Sequence, residues 1–173
     1  MSTTISPTQE LVPAGTWQVD PVHSHVSFEI VHAGVDAFRG GFDDFAVSLV
    51  DGKVEGSVSV ASVDVKDEQL NGHLQSPDFF DAERFPEISF HADDFVHGEL
   101  TIKGITRPVE LATSVSGTST DPFGRERLGV TVEATIDRTQ FGISWNAPNQ
   151  SGGDYLANEV KLVGELALVK VED

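Results

Sequence analysis

Apolar and polar residues alternate with a period of two along much of this chain, and this pattern constrains its fold more than any other feature. Between Val22 and His32, Val22, Val26, Phe28 and Ile30 share one face of the alternation, and mostly polar residues occupy the other. The pattern recurs in residues 53–60 and 127–137. Because successive side chains of a strand point to opposite faces, it predicts antiparallel strands with one face in water.

The pattern and the turn signals together predict about eight strands. They lie near residues 16–32, 39–50, 53–64, 87–95, 97–104, 108–116, 127–137 and 159–171. Asp51-Gly52 is a strong hairpin signal between two of them, and interior glycines such as Gly98 permit sharp bends. No long helical pattern is present. We therefore predict an all-β fold, an eight-stranded antiparallel β-barrel.

A short helical insert is predicted around residues 67–85. Asp67–Leu74 has the pattern of a short helix, and Ser76-Pro77 provides an N-cap and first helical position for one or two further turns through Ala82. The insert carries three phenylalanines, which we expect to be buried at the mouth or in the interior of the barrel. They are Phe79, Phe80 and Phe85.

Length and composition indicate one soluble domain. The chain has 173 residues, of which 1–14 are polar and aperiodic and are predicted to be a flexible lead-in to a single domain over 15–173. Eleven Phe against one Tyr and two Trp favour an apolar interior. The net charge of −17 opposes binding to nucleic acids and anionic membranes.

The N-terminal sequence, the lack of a long apolar stretch and the absence of cysteine limit the expected cellular location and the possible cysteine chemistry. The N-terminus lacks the basic segment and apolar run of a secretory signal, and no stretch is apolar enough to span a membrane, so we expect a cytoplasmic protein. Without cysteine, disulfides, thiolate metal sites and cysteine nucleophiles are excluded.

Three histidines near the start raise the question of a metal site. His23 and His25 share one face of a predicted strand, and His32 falls on the opposite, mainly apolar face. A third ligand would have to come from elsewhere in the fold; the candidates are Glu29, His73, His91 and His97. No metal-binding or nucleophile motif supports such a site. We therefore predict no metal and no catalytic residue, and leave the role of the three histidines open.

Arginines are few, and three of them lie at predicted strand ends. Arg39, Arg107 and Arg138 each neighbour Gly, Thr or Asp. Two readings stay open: ordinary solvation or ion pairing, or cations at a pocket mouth that meet a polar or phosphorylated head group.

Four blocks of sequence together carry a family resemblance. They are Trp17-x-x-Asp20-Pro21-x-His23-Ser24-x-x-x-Phe28, the run from His73 to Phe90 that contains Asp78-Phe79-Phe80-Asp81-Ala82, the run Gly98-x-Leu100-Thr101-Ile102-Lys103-Gly104-Ile105-Thr106-Arg107-Pro108-Val109, and Asp137-Arg138-x-x-Phe141-Gly142. In order and spacing they resemble the YceI-like family of polyisoprenoid-binding proteins over about residues 15–171. The resemblance implies a lipocalin-like eight-stranded barrel with a long amphiphile in its lumen, and pairing of two copies as a homodimer. Many family members are exported to the periplasm, and this N-terminus departs from them.

The sequence and the resemblance together predict a non-catalytic carrier of a long apolar lipid, of the polyisoprenoid or isoprenoid quinone type. No cofactor other than such a lipid is expected. The predicted lining residues are Phe28, Ile30, Phe79, Phe80, Phe90, Leu100, Ile102, Val130, Val132, Phe141 and Trp145. Each of them is equally explicable as plain core. Two alternatives stay open: a metal- or histidine-assisted enzyme acting on a small apolar substrate, and a filled barrel that serves as a stress-response or interaction module.

Overall fold

The all-β prediction is confirmed by a computed structural model of the chain. It describes residues 14–150 and 152–171, and within them it contains one sheet of twelve antiparallel strands and one short α-helix. Apart from Ala14, the predicted lead-in lies outside the described residues. The division into a lead-in and a single domain over 15–173 therefore stays a prediction.

All paired strands are antiparallel, and the helix lies between β6 and β7. In chain order they are β1 (Thr16–Val19), β2 (His25–His32), β3 (Asp36–Phe42), β4 (Phe45–Val50), β5 (Lys53–Ser59), β6 (Val63–Asp64), helix α1 (Glu68–Leu74), β7 (Glu87–Ala92), β8 (His97–Ile102), β9 (Ile105–Glu110), β10 (Ala112–Thr120), β11 (Glu126–Asp137) and β12 (Leu156–Lys170). Short 3₁₀ turns occupy Pro21–His23, Val60–Ser62 and Arg138–Phe141.

Twelve strands appear where eight were predicted because four of the predicted strands are each divided in two. In the first, the Asp20 carboxylate accepts a hydrogen bond from the Val22 amide at 3.1 Å, and Pro21 follows it in the first helical position. This local cap starts the turn Pro21–His23. Val22 is consequently 80% exposed, so its predicted place on the interior face was wrong.

The long strand β12 organises the sheet. It pairs with β11 from Glu159 to Val169, with β2 over its first half and with β1 over residues 168–170. From β1 the ladder continues through β4, β5, β7 and β8 to β9, and from β11 it continues to β10. The two ends of this path, β9 and β10, are separated in the chain by Leu111 alone. Among the described residues the ladder does not close between them, so the closed eight-stranded barrel stays a prediction.

The buried apolar side chains form two clusters. The first, called here the base cluster, contains Trp17, Leu49, Val54, Ala92, Phe95, Leu128, Val130 and Leu168. The second, called the insert cluster, contains Phe28, Ile30, Phe42, Val63, Leu74, Phe79, Leu100, Ile102, Val109, Ile136, Phe141, Ile143 and Leu156. Burying one such large side chain contributes about 1.5–3 kcal/mol. The clusters therefore stabilise the folded sheet.

The predicted helical insert is confirmed in its first half and wrong in its second. Helix α1 begins directly after Asp67, whose carboxylate accepts from the Leu70 amide at 3.1 Å. Residues 77–82 form hydrogen-bonded turns instead of a helix. Asp81 has a φ of 53°, in the left-handed region, and a residue in that conformation does not continue a right-handed helix. The turns nevertheless bury Phe79 in the insert cluster.

The cap at Asp20 makes stability depend on pH in acid. Asp20 also bonds His23 Nδ1 at 2.8 Å and Arg127 Nη1 at 2.9 Å, and these bonds, that of Arg127 foremost, lower its pKa to about 2. A carboxyl whose pKa is lower in the folded state stabilises the protein above its unfolded pKa, and this contribution is lost as the pH falls. We expect the free energy of unfolding to decrease between about pH 4 and pH 2, and Arg127→Gln to flatten that decrease.

The measurement is urea denaturation at several pH values. Arg39→Gln is the matched control, because Arg39 makes only an exposed ion pair with Glu29 at 3.2 Å. The pKa of Asp121 is also lowered, first by a hydrogen bond from the Arg125 backbone amide and then by Arg127, whose Nε lies 2.8 Å from Asp121, so both carboxyls act in the same direction. Parallel pH curves for wild type and Arg127→Gln would contradict this assignment.

Candidate functional site

A largely apolar cavity of about 680 Å³ lies inside the folded sheet. Side chains from β2, β3, β5, β7, β8, β11 and β12 form its walls, and Leu70 and Leu74 of α1 and Phe79 and Phe80 of the following turns also line it. Cavities that bind small molecules in proteins typically measure about 300–1,000 Å³ and are lined mostly by apolar side chains. This cavity is therefore the candidate functional site.

The structure places nine of the eleven predicted lining residues on the cavity wall. They are Phe28, Ile30, Phe79, Phe80, Phe90, Leu100, Ile102, Val132 and Trp145. The other two are buried elsewhere: Val130, 3% exposed, packs in the base cluster, and Phe141, 1% exposed, packs in the insert cluster. Alternation identifies which face of a strand points inward, but not how far along the strand the cavity extends. Whether these residues bind a ligand stays a prediction.

Other wall residues were missed, although the sequence contains a signal for some of them. Val160, Leu162 and Leu166 of β12 lie on the wall, as do Phe38 and Ile88. The three β12 residues occupy alternate positions of the strand with Gly164 between them, which is the same period-two pattern that identified Phe28 and Ile30. Leu70 and Leu74 are four residues apart and so share one face of α1.

Two glycines allow aromatic rings of the wall to lie close against the sheet. A Cβ atom at Gly98 would lie 2.7 Å from Cε2 of Phe90, and one at Gly40 would lie 2.5 Å from Cζ of Phe28. Both distances are well below van der Waals contact. The rings therefore occupy the space above the backbone that a larger residue would take.

The base cluster closes one end of the cavity. Phe90, Leu111 and Leu166 pack against this cluster and also line the cavity. Behind them Trp17, fully buried, and Phe95 fill the space between the sheet walls. The deep end of the cavity is consequently apolar.

Aromatic and polar side chains gather at the opposite end, in a group called here the collar. It consists of His32, His73, Phe79, Trp145 and Tyr155, all of which line the cavity. The His73 ring meets the rings of Phe79 and Trp145 edge-on, each at 4.9 Å, and Tyr155 lies 4.5 Å from His32 and 6.4 Å from Trp145 between ring centres. The cavity thus changes from apolar at its base to amphipathic at its collar.

Carboxylates accompany the collar histidines. His32 Nδ1 lies 3.0 Å from Asp36 and His73 Nε2 lies 3.1 Å from Asp78. Outside the collar, His91 bonds Glu55 and Asp93, and these carboxylates, Glu55 foremost, raise the pKa of His91. Within the described ranges no group of three His, Asp or Glu side chains is placed to hold a metal ion.

The predicted pairing of His23 and His25 on one strand face was wrong. His23 lies in the turn Pro21–His23, where it bonds Asp20, and His25 begins β2. The Asp20-Pro21 cap that splits the predicted strand also separates the two side chains.

The three arginines have different environments. Arg39 and Arg107 are exposed; Arg39 pairs with Glu29, and Arg107 donates to the Gln140 carbonyl at 3.3 Å. Arg138 is 3% exposed and lines the cavity. It differs from the other two in being part of the candidate site.

Arg138 fixes the segment that carries the collar. Its Nε donates to the Ala157 carbonyl at 2.9 Å, and its Nη1 donates to the carbonyls of Ile143 at 3.0 Å and Trp145 at 2.8 Å. Burial lowers the pKa of the guanidinium, an effect that the nearby charges of Asp137 and Asp154 oppose. Arg138 therefore ties the start of β12 to the loop that presents Trp145.

Comparison with known proteins identifies the family. A match to the YceI-like domain family extends over residues 17–168. The chain belongs to the YceI-like family. A UPF0312 protein of Staphylococcus aureus strain N315 is 35% identical to it over 155 residues, which cover 82% of this chain and 90% of the relative.

Solved structures share the YceI-like fold. BcnA of Burkholderia cenocepacia superposes with a TM-score of 0.69 at 23% identity, over 86% of this chain and 98% of BcnA. A polyisoprenoid binding domain from Saccharophagus degradans superposes with a TM-score of 0.69 at 12% identity, over 90% and 98% of the two chains. In the described part of this YceI-like chain, no helix is long and apolar enough to cross a membrane.

Removing the Arg138 guanidinium should destabilise the protein strongly. Arg138→Gln removes the donor to the carbonyls of Ile143, Trp145 and Ala157, and each buried acceptor left without a partner costs about 1–3 kcal/mol. We expect a loss of that order in the free energy of unfolding, measured by urea denaturation. The matched control is Arg107→Gln, which removes one exposed hydrogen bond and should cost less than about 1 kcal/mol. Equal losses for the two variants would contradict the role given to Arg138.

Proposed function

We propose that this YceI-like protein binds a long apolar lipid, of the polyisoprenoid or isoprenoid quinone type, in the cavity and performs no chemistry on it. The observation that carries the proposal is the cavity itself, about 680 Å³ of apolar space with a closed base and an amphipathic collar. That shape suits an amphiphile whose tail enters first. The fold shared with a polyisoprenoid binding domain supports the ligand class.

Burial of the tail supplies enough free energy for useful affinity. Each CH₂ group moved from water into an apolar site contributes about 0.8 kcal/mol, so ten of them contribute roughly 8 kcal/mol, equivalent to about micromolar affinity before the costs of association. A prenyl chain offers more than ten such groups. The apolar wall therefore suffices to bind it without a strong polar contact.

We also propose that the sheet acts as the eight-stranded lipocalin-like barrel that the family resemblance implies. The divided pairs β1–β2, β3–β4, β5–β6 and β9–β10 each follow the course of one predicted strand. β9 pairs with β8 and β10 pairs with β11, so the short connection at Leu111 links the two ends of the ladder. A ring of this size leaves an interior wide enough for one small ligand.

The alternatives have less support. A filled barrel used as an interaction module would lack an interior space of this size. No specific observation favours a metal- or histidine-assisted enzyme over a binding protein. A homodimer, a cytoplasmic location and the absence of nucleic-acid partners stay predictions.

The two tryptophans provide a direct test of lipid entry. Trp145 lies in the collar, and Trp17 is fully buried in the base cluster. A prenyl or fatty chain that carries a nitroxide close to its head group should quench Trp145 on binding. We expect Trp17→Phe to keep this quenching and Trp145→Phe to lose it, measured by tryptophan fluorescence during titration. Quenching that survives in Trp145→Phe would place the bound chain elsewhere.

Two substitutions test whether lipid uptake depends on the cavity wall and not on the surrounding core. Phe90→Asp places a charge on the apolar wall, whose desolvation opposes lipid entry, so we expect uptake of a fluorescent prenyl probe to fall at least about tenfold. Val130→Ala removes volume from the base cluster and should lower stability by about 1–3 kcal/mol but leave uptake unchanged. Circular dichroism establishes that both variants are folded. Retained uptake by folded Phe90→Asp would argue against the proposed site.

A further inference from the structure

Exposed apolar side chains lie beside the collar of the cavity. The hairpin between β2 and β3 turns there through residues 33–35, and His32 and Asp36, on either side of the turn, both line the cavity. Val35 is 86% exposed, and Val31, next to His32, is 48% exposed. Neither valine lines the cavity or packs in either cluster. Exposed apolar side chains that gather at one place mark surfaces that contact a protein or a membrane.

Hydrogen bonds fix this hairpin turn beside the start of β12. The Ala33 amide donates to the Tyr155 carbonyl at 2.6 Å, and the Val35 amide donates to the His32 carbonyl at 3.2 Å. Ala33 and Gly34 have φ values of 54° and 75°, and positive values at both positions suit a two-residue type I′ turn. The tip that carries Val35 is therefore ordered before it contacts anything, which lowers the entropic cost of a contact.

The segment before β12 adds uncharged surface beside the collar. Residues 139–153 are the longest stretch of the sequence without Asp, Glu, Lys or Arg, although these residues make up 23% of the chain. Asn146 joins this segment to the start of β12, since its side chain accepts from the Leu156 amide at 2.9 Å and donates to the Leu156 carbonyl at 2.7 Å. The segment contributes Trp145 to the collar, and Tyr155 is the only tyrosine of the chain. Trp and Tyr are the side chains that favour the boundary between water and lipid.

The charges beside the collar are negative. The carboxylates of Asp36 and Asp78 bond the collar histidines His32 and His73, and Asp154 follows the uncharged stretch. The chain as a whole carries a net charge of −17. An anionic bilayer would repel this surface over about 10 Å at 0.1 M salt. A zwitterionic bilayer has no net charge and would not.

Two further exposed apolar side chains differ because they lie among charges. Val22 and Phe123 are 80% and 82% exposed. Each follows an aspartate by two residues, and these aspartates, Asp20 and Asp121, both bond Arg127, at 2.9 Å and 2.8 Å. Arg127 lies at the base-cluster end of the ladder between β11 and β12. Val22 and Phe123 are therefore at the end of the cavity away from the collar, and they provide matched controls.

We propose that the collar end of the protein docks reversibly on an uncharged, zwitterionic lipid bilayer, with Val31, Val35, Trp145 and Tyr155 at the contact. Lipid then passes between the bilayer and the cavity without crossing bulk water. This inference rests on the proposed function and adds the surface from which the same cavity is filled. Because only a few apolar side chains make the contact, it is weak and reversible.

Co-sedimentation of the lipid-free protein with vesicles measures docking separately from lipid uptake. The vesicles contain phosphatidylcholine alone or phosphatidylcholine mixed with phosphatidylglycerol. We expect binding to the first kind, and at low salt at least about threefold weaker binding to the second. Absence of binding to phosphatidylcholine, or tighter binding to the anionic vesicles, would overturn the inference.

Two double variants locate the contact on the protein. Replacement of both Val31 and Val35 by Ser should lower partitioning onto phosphatidylcholine vesicles at least about fivefold, because two apolar side chains no longer leave water. The control replaces Val22 and Phe123 by Ser and should stay within about twofold of wild type. Equal losses in the two double variants would contradict the proposed contact. All four side chains are exposed, and circular dichroism establishes that the variants are folded.

Transfer of a fluorescent prenyl probe tests whether docking delivers lipid. Probe-loaded protein is mixed with phosphatidylcholine vesicles that contain a quencher, at several vesicle concentrations. Transfer by contact gives a rate that rises in proportion to vesicle concentration, whereas escape into water gives a constant rate set by dissociation. We expect the proportional rise, and a slope at least about fivefold lower when Val31 and Val35 are replaced by Ser. Equilibrium uptake of the probe should not change, because neither side chain lines the cavity.

Failure of docking and failure of the proposed function give different results. If the wild-type protein takes up no probe, the proposed function is wrong and the inference falls with it. If it takes up the probe but transfers it at a rate independent of vesicle concentration, the proposed function stands and the inference is overturned. If replacing Val31 and Val35 dissociates a dimer, measured by sedimentation velocity, and leaves vesicle binding unchanged, this surface pairs with a second copy and the inference is likewise overturned.

Discussion

The ladder between β11 and β12 is the interaction on which the rest of the structure depends. It joins residues 127–137 to residues 159–169 in an unbroken antiparallel register. One end of this pair of strands contributes Leu128 and Leu168 to the base cluster. Its middle contributes cavity-wall residues, which are Val132, Ala134, Leu162 and Leu166. Arg138 and Leu156 lie just beyond its other end. Because the register fixes these levels relative to one another, one pair of strands sets the closed end, the apolar wall and the polar collar together.

The polarity of the cavity changes from its base to its collar, so the two ends of the site differ chemically. At the base, close-packed side chains exclude water, and at the collar, rings with polar edges meet carboxylates and one buried guanidinium. An amphiphile gains most when its apolar and polar parts match that gradient, since an inverted molecule would bury its head without partners. For an amphiphile in a site of this kind, burial costs set the orientation and the length of the apolar chain sets the affinity.

Much of the fold follows from local sequence signals, and parts of the site do not. Alternation and Asp51-Gly52 predict the strands, and Asp67 predicts the start of α1. Asp20-Pro21 is also a recognisable N-cap signal for the turn Pro21–His23. A prediction based on periodicity misses it, because the alternation of apolar and polar residues continues through Val22. The position of Val130 relative to the cavity depends on the register between β11 and β12, which no local pattern specifies. The burial of Arg138 depends on three carbonyls from two separate segments, and a motif of adjacent residues does not contain that information.

Gly40 and Gly98 have a consequence for the kind of guest that fits. Each leaves room for a ring to lie close against the sheet, so the width of the cavity depends on these two backbone positions. A methyl group at either position would push a ring toward the central axis and constrict the passage. The width of the cavity and the polarity of its collar therefore depend on separate residues.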